Sequence, residues 1–214
     1  MKIPVAVLIS GSGSNLQSII DQAEAGSLPI RICCVISNKP DAFGLERARK
    51  HDIPVVCIPS RGKTRDEHEK EIIAVLESHG VELVVLAGYM RLLSSVLLEH
   101  FKGRIINIHP ALLPSFPGTH GYEDAWNYGV RVSGCTVHFV DEGCDTGAII
   151  LQAVNPIEPE DTLETFKQRG LAIEHKALPE AIRLYCAGRL RIDGRRVIVA
   201  PDPVESTGRT GCTG

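Results

Sequence analysis

The sequence has no apolar stretch approaching the roughly 18 residues that a bilayer-crossing helix needs. Its N-terminus runs directly into MKIPVAVLIS, without the long apolar region and cleavage site of a secretory leader, so a cytoplasmic location is expected. Charge of one sign is also scarce. With a net charge of -3 and a pI near 6.2, nothing in the bulk balance attracts nucleic acid or an anionic membrane. The seven cysteines are odd in number and include no Cys-x-x-Cys pair, which argues against a disulfide framework and for a reducing compartment. The eight histidines include no His-x-x-x-His pair, so no metal site is expected. There is neither an internal repeat nor a convincing linker. The 214 residues suit a single domain over 1–200. The segment 201–214, rich in Pro, Gly, Ser and Thr, reads as a mobile tail.

What the chain does have is a repeated alternation of short apolar runs with amphipathic ones. Strands are expected at Ile3 to Ile9, Arg31 to Ile36, Val55 to Ile58, Leu83 to Ala87 and Ile105 to Ile108. Helices are expected at Leu16 to Gly26, Phe43 to Lys50 and Arg65 to His79, and a short one at Tyr122 to Tyr128. Two further strands, Gly134 to Val140 and Ala148 to Val154, precede a long helix from Leu163 to Ala187 that Pro179 should interrupt. Asp193-Gly194 marks a hairpin between Arg189 to Ile192 and Arg196 to Val199. The pattern implies an α/β fold: a mostly parallel, open, twisted Rossmann-like sheet with helices on both faces and a small C-terminal hairpin.

In such sheets ligands bind beyond the carboxyl ends of the strands, and the richest such end is RIINIHPALLPSFPG, residues 104–118. Pro110 stops the strand because it has no N–H to give. Asn107 and His109, two apart, project from one face. Together they can donate hydrogen bonds to one developing oxyanion. The later loop, Asp141 to Gly147, could fold back so that Asp145 orients and charges the His109 ring. At the first strand end, Gly11-Ser12-Gly13-Ser14-Asn15 opens a helix whose free N–H groups suit a phosphate, with Ser14 and Gln17 at capping-box spacing. Leu16 replaces the third glycine of a dinucleotide fingerprint, and no Gly-Lys-Ser/Thr follows. Glu174, within the long helix, reads as part of a solvated face. Arg65 begins a charged helix, and Met90, Leu92 and Leu93 read first as core.

These residues together resemble one family. Ile9 to Asn15, Ala87-Gly88-Tyr89-Met90-Arg91, Asn107-Ile108-His109-Pro110, and Val137-His138 through Asp145-Thr146-Gly147 are similar to the phosphoribosylglycinamide formyltransferases, colinearly from about residue 3 to 192. The Asn, His and Asp set is shared across the wider formyltransferase superfamily, and the Gly-Ser-Asn loop favours this branch over its deformylase and methionyl-tRNA relatives. The resemblance implies transfer of a formyl group from 10-formyltetrahydrofolate, as co-substrate, to the amine of glycinamide ribonucleotide in purine synthesis. No metal, nucleic acid or membrane is implied, and the chain is expected to be a monomer or weak homodimer. Asn107, His109 and Asp145 would be catalytic. Gly13, Ser14, Asn15, Pro110 and Glu174 would hold the ribonucleotide. Arg65, Met90, Arg91, Leu92, Leu93, Asn107, Val140 and Asp141 would hold the folate. A non-catalytic phosphate-binding module would explain Gly11 to Asn15 but give the Asn, His and Asp no task.

Overall fold

A computed structural model describes residues 2–202, so the segment expected to be a mobile tail lies almost wholly outside the described residues. Among these, nine strands form one sheet in the order β3-β2-β1-β4-β5-β6-β7-β9-β8. The strands are β1 (Ile3–Ile9), β2 (Ile30–Ser37), β3 (Val55–Cys57), β4 (Leu83–Leu86), β5 (Ile105–His109), β6 (Val132–Phe139), β7 (Ile149–Pro156), β8 (Leu190–Asp193) and β9 (Arg196–Val199). The first five run parallel; β6 is antiparallel to both β5 and β7, and β8 to β9.

Alternation along the strands sorts side chains between two cores. Val5, Val7, Ile9, Ile106 and Ile108 pack with helix α1 (Ser14–Glu24), α2 (Phe43–Lys50) and the long α6 (Leu163–Cys186). Ala6, Leu8, Ile36 and Ile105 pack with α3 (Arg65–Ser78) and α4 (Ser95–His100) on the other face. Asn107 and His109 follow Ile105 by the two-residue period and so leave the sheet on the α3 and α4 side. The remaining helix, α5 (Gly121–Tyr128), follows the proline-rich segment.

Three local departures from the sequence expectations have physical causes. Ser14 does not cap α1: Gly13 takes the N-cap position in the left-handed region, at φ 70°, with no side-chain cap, and Gln17 gives its backbone N–H to the Gly13 carbonyl. Pro179 does not interrupt α6, which is continuous over 24 residues. The His175 carbonyl that a residue-179 N–H would have served is met by Gln22 Nε2 at 3.4 Å. Helix α4, unanticipated, has only six residues, and its end is completed from elsewhere. Buried Glu69 of α3 accepts from Ser94 N–H, Ser94 Oγ–H and Leu97 N–H.

The order places β1 beside β4, where successive connections leave to opposite sides. This is the switch point at which open α/β sheets form a crevice. There Ser10 N–H donates to the Gly88 carbonyl, and Met90 N–H donates to Ser10 Oγ at 2.9 Å.

Candidate active site

Beyond the ends of β4 and β5 opens a cavity of about 320 Å³, a size that suits a small organic ligand. Asn107 and His109 come from β5; Met90, Arg91, Leu92 and Leu93 come from the segment after β4. Val140, Asp141 and Asp145 come from the connection between β6 and β7. That connection can double back because Gly147 has no side chain: a Cβ there would lie 1.7 Å from the Phe139 carbonyl oxygen. Asp141 Oδ1 braces the turn, accepting from Gly143 N–H at 3.2 Å and Thr146 Oγ–H at 2.6 Å.

The turn brings Asp145 over β5. Asp145 Oδ2 lies 3.4 Å from His109 Nδ1 and accepts from Gly118 N–H at 2.8 Å. Oδ1 lies 3.6 Å from His138 Nε2 and 3.5 Å from Asn107 Nδ2. His109 Nε2–H donates to the Phe116 carbonyl at 2.7 Å, so both ring nitrogens of His109 face acceptors. Asn107 Nδ2 lies 3.1 Å from His138 Nε2, and His138 Nδ1–H donates to the Phe139 carbonyl. Phe116 and Asp145 both hold positive φ, 53° and 54°. Non-glycine residues rarely adopt this conformation, and it clusters at working sites.

Electrostatics divide the pair. Burial opposes charge on Asp145, but the contact with His138, the Gly118 N–H and the neighbouring imidazoles together hold its pKa at about 2. Burial holds His109 below the ordinary imidazole value, even though Asp145 and the Phe116 carbonyl pull it upward. The expectation that Asp145 keeps His109 charged is thus corrected for the resting enzyme, where desolvation of a ring only 2% exposed outweighs a carboxylate at 3.4 Å. Because the carboxyl pKa falls from 3.8 to about 2 on folding, the ionised Asp145 contributes to stability. This contribution is present above the ordinary carboxylate pKa and disappears as pH falls through the folded value. Thermal unfolding of the wild type is expected to weaken more steeply between pH 5 and pH 2 than that of Asp145→Asn. Parallel curves would remove the contribution.

A second cluster lies where α1, α5 and α6 meet. Glu174 is 4% exposed, not solvated as its place on the helix suggests. Its Oε2 accepts from Asn15 Nδ2 at 2.6 Å, and its Oε1 accepts from Tyr122 Oη–H. Burial raises its pKa, against the two donors that lower it.

The cavity is lined by the expected Met90, Arg91, Leu92, Leu93, Asn107, His109, Pro110, Val140, Asp141 and Asp145. Arg65 is exposed at the start of α3 and is not part of the lining. A first-turn position on an outward helix face keeps it away. Gly13, Ser14, Asn15 and Glu174 also stand outside the lining, at the α1 end. The sequence reading left His138 and Tyr122 out of the site. His138 is legible only through pairing, since its Cα partner on β5 is Asn107. Tyr122 gave no signal. Cys144 lines the cavity, but burial and the Asp145 charge raise its thiol pKa, so it is not an activated thiolate. Among the described residues no cluster of three or more His, Cys, Asp or Glu could hold a metal ion, and no helix is long and apolar enough to cross a membrane.

The formyl transferase family model matches residues 3–182, a span that includes every residue of both clusters. The chain belongs to the formyl transferase family. The phosphoribosylglycinamide formyltransferase of Haemophilus influenzae is 46% identical to this formyl transferase over 189 residues, spanning 88% of this chain and 89% of that protein. The solved structure of glycinamide ribonucleotide transformylase 1 from Symbiobacterium toebii matches with a TM-score of 0.91 at 48% identity, covering 94% of this chain and 95% of that one. The trifunctional purine biosynthetic protein adenosine-3 of Drosophila pseudoobscura is 49% identical over 190 residues; the match spans 87% of this formyl transferase and 14% of that longer protein. The mixed sheet with helices on both faces is thus the fold of glycinamide ribonucleotide transformylases.

Proposed function

We propose that the chain transfers the formyl group of 10-formyltetrahydrofolate to the amine of glycinamide ribonucleotide, a step of purine biosynthesis. The observation that carries this is the convergence of Asn107 and His109 on Asp145, at 3.5 and 3.4 Å, at the mouth of a cavity with an apolar wall. Likeness to the Haemophilus enzyme along nearly the whole of both chains supports the choice of acceptor.

The wall fits a flat heterocycle. Met90 and Leu92 are about half exposed, and Leu93 is buried behind them, so apolar surface faces the cavity beside polar backbone of the 141–145 turn. The folate, when bound, supplies a formyl carbon carried on its anilino bridge nitrogen, which is the leaving group. Asn107 donates from Nδ2 to the oxygen that becomes negative as the amine attacks. His109 starts neutral, and negative charge developing beside it raises its pKa, so its stabilisation is greatest in the transition state. The C–N bond to the amine forms and the C–N bond to the folate breaks. The proton the amine loses ends on the folate nitrogen, with His109 as the relay. Because both His109 nitrogens are engaged at rest, one of Asp145 and the Phe116 carbonyl must yield its place to the substrate. The free N–H groups at the start of α1, with Gly13, Ser14 and Asn15, bind the phosphate, and Glu174 binds the amine end.

The test is the absorbance of the folate product with and without glycinamide ribonucleotide. Turnover that requires the acceptor is expected. Turnover without it would mean hydrolysis of the formyl folate, and none in either case would leave a binding module.

A further inference from the structure

The site described so far gives Glu174 a ligand to hold but does not explain how a carboxylate buried among apolar helices keeps its orientation. The answer lies in α5. Tyr122, 8% exposed, packs edge-on against fully buried Phe166, with ring centroids 5.5 Å apart and planes at 87°, and its hydroxyl meets Glu174 Oε1. The ring can sit there only because residue 170 is glycine: a Cβ on Gly170 would be 2.4 Å from both Tyr122 Cε1 and its hydroxyl oxygen. The start of α5 is itself seated against Pro110, since a Cβ on Gly121 would be 3.0 Å from the Pro110 carbonyl oxygen. Tyr122 therefore links the residue after His109 to Glu174.

A second observation points to what is missing. Asn15, 8% exposed, uses Nδ2 on Glu174 while its Oδ1 is buried without a partner. An ionised carboxylate accepts at about four positions, and Tyr122 and Asn15 occupy two. The open positions of Glu174 and the orphaned Asn15 oxygen are all acceptors, which calls for a ligand that brings N–H groups.

We propose that Tyr122 is the positioning residue of the amine-binding carboxylate: seated over Gly170, its phenol holds Glu174 turned so that its free lone pairs, with Asn15 Oδ1, receive the N–H groups of glycinamide ribonucleotide. This rests on the transferase reading above. The groups facing the carboxylate are Asn15 from α1, Tyr122 from α5 and the Cys135 thiol of β6, whose pKa burial and then the Glu174 charge push up to about 12. None of the groups that set the protonation of Glu174 is a cation. The Tyr122 hydroxyl thus carries much of the stabilisation of its charged form.

The test compares wild type, Tyr122→Phe and Gly170→Ala by steady-state kinetics over a range of pH. Tyr122→Phe is expected to raise KM for glycinamide ribonucleotide about tenfold, the loss of one hydrogen bond to a charged group, while KM for 10-formyltetrahydrofolate stays within about twofold. Without the phenol, burial raises the carboxyl pKa further. The acidic limb of kcat/KM for the ribonucleotide should therefore move to higher pH. Gly170→Ala keeps the hydroxyl but displaces the ring, and should give the same split between the two KM values. Wild-type KM and an unmoved limb in Tyr122→Phe would overturn the role of Tyr122 while leaving the transferase standing, as would an equal rise in both KM values. A wild type that does not formylate glycinamide ribonucleotide would overturn both.

Discussion

Replacing His109 by alanine is expected to lower kcat by about 10³-fold or more, with both KM values changed only a few-fold. Two effects are lost together: a proton relay, worth about 10²- to 10⁴-fold, and a donor to the developing oxyanion, worth about 10²- to 10³-fold. The two are not additive because one ring supplies both. The variant should fold, since the ring sits at the end of β5, where two polar contacts hold it. A small cavity and an unpaired Phe116 carbonyl should cost it about 1–3 kcal/mol. Thermal unfolding and single-turnover formyl transfer measure the two separately. A folded His109→Ala enzyme with near-normal single-turnover rate would remove His109 from the chemistry.

Asp145→Asn should lower turnover about 10- to 100-fold and move one limb of the pH profile. Asparagine keeps the shape and can still accept from Gly118 N–H, so the substitution isolates the charge. In the wild type, burial lowers the His109 pKa and Asp145 opposes that drop. With the carboxylate gone, burial acts with less opposition and the His109 pKa falls further. The neutral ring that begins the transfer then persists to lower pH, and the limb on which activity falls with falling pH moves downward. A profile for Asp145→Asn that overlays the wild type would show that the 3.4 Å contact does no electrostatic work in catalysis.

These effects trace to residues whose legibility in the sequence differs for physical reasons. Strand alternation and a terminating proline were enough to place Asn107 and His109 together, because both signals are local. Asp145 is 38 residues from Asn107, its Nδ2 partner. Its approach depends on Gly147 meeting the Phe139 carbonyl, a tertiary fact that the glycine alone does not announce. Helix α4 was hard to see because it has only six residues and its Ser94 cap is held by Glu69, from a different helix. Ser14 looked like a cap by spacing, but the left-handed Gly13 makes the turn before it. Pro179 looked like a break, and a distant Gln22 side chain answers for the missing hydrogen bond. Glu174 looked solvated because a helix face shows its polarity in the sequence, whereas what packs against it belongs to α1 and α5.

Gly13 and Gly44 carry a further implication. A Cβ on Gly13 would come within 2.6 Å of the Gly44 Cα, Gly44 gives its N–H to the Gly11 carbonyl at 3.0 Å, and Arg47 Nε–H donates to the Ser12 carbonyl at 2.9 Å. Backbone thus rests directly on backbone where the first strand gives way to α1, and even a methyl group at either glycine would wedge the two segments apart. The width of the phosphate cradle proposed at Gly13 to Asn15 is therefore set by the seating of α2, a helix that the substrate need never touch. Mutations along the buried side of α2 that shift this seating should loosen discrimination between phosphate esters of different bulk while the formyl chemistry at β5 proceeds unchanged.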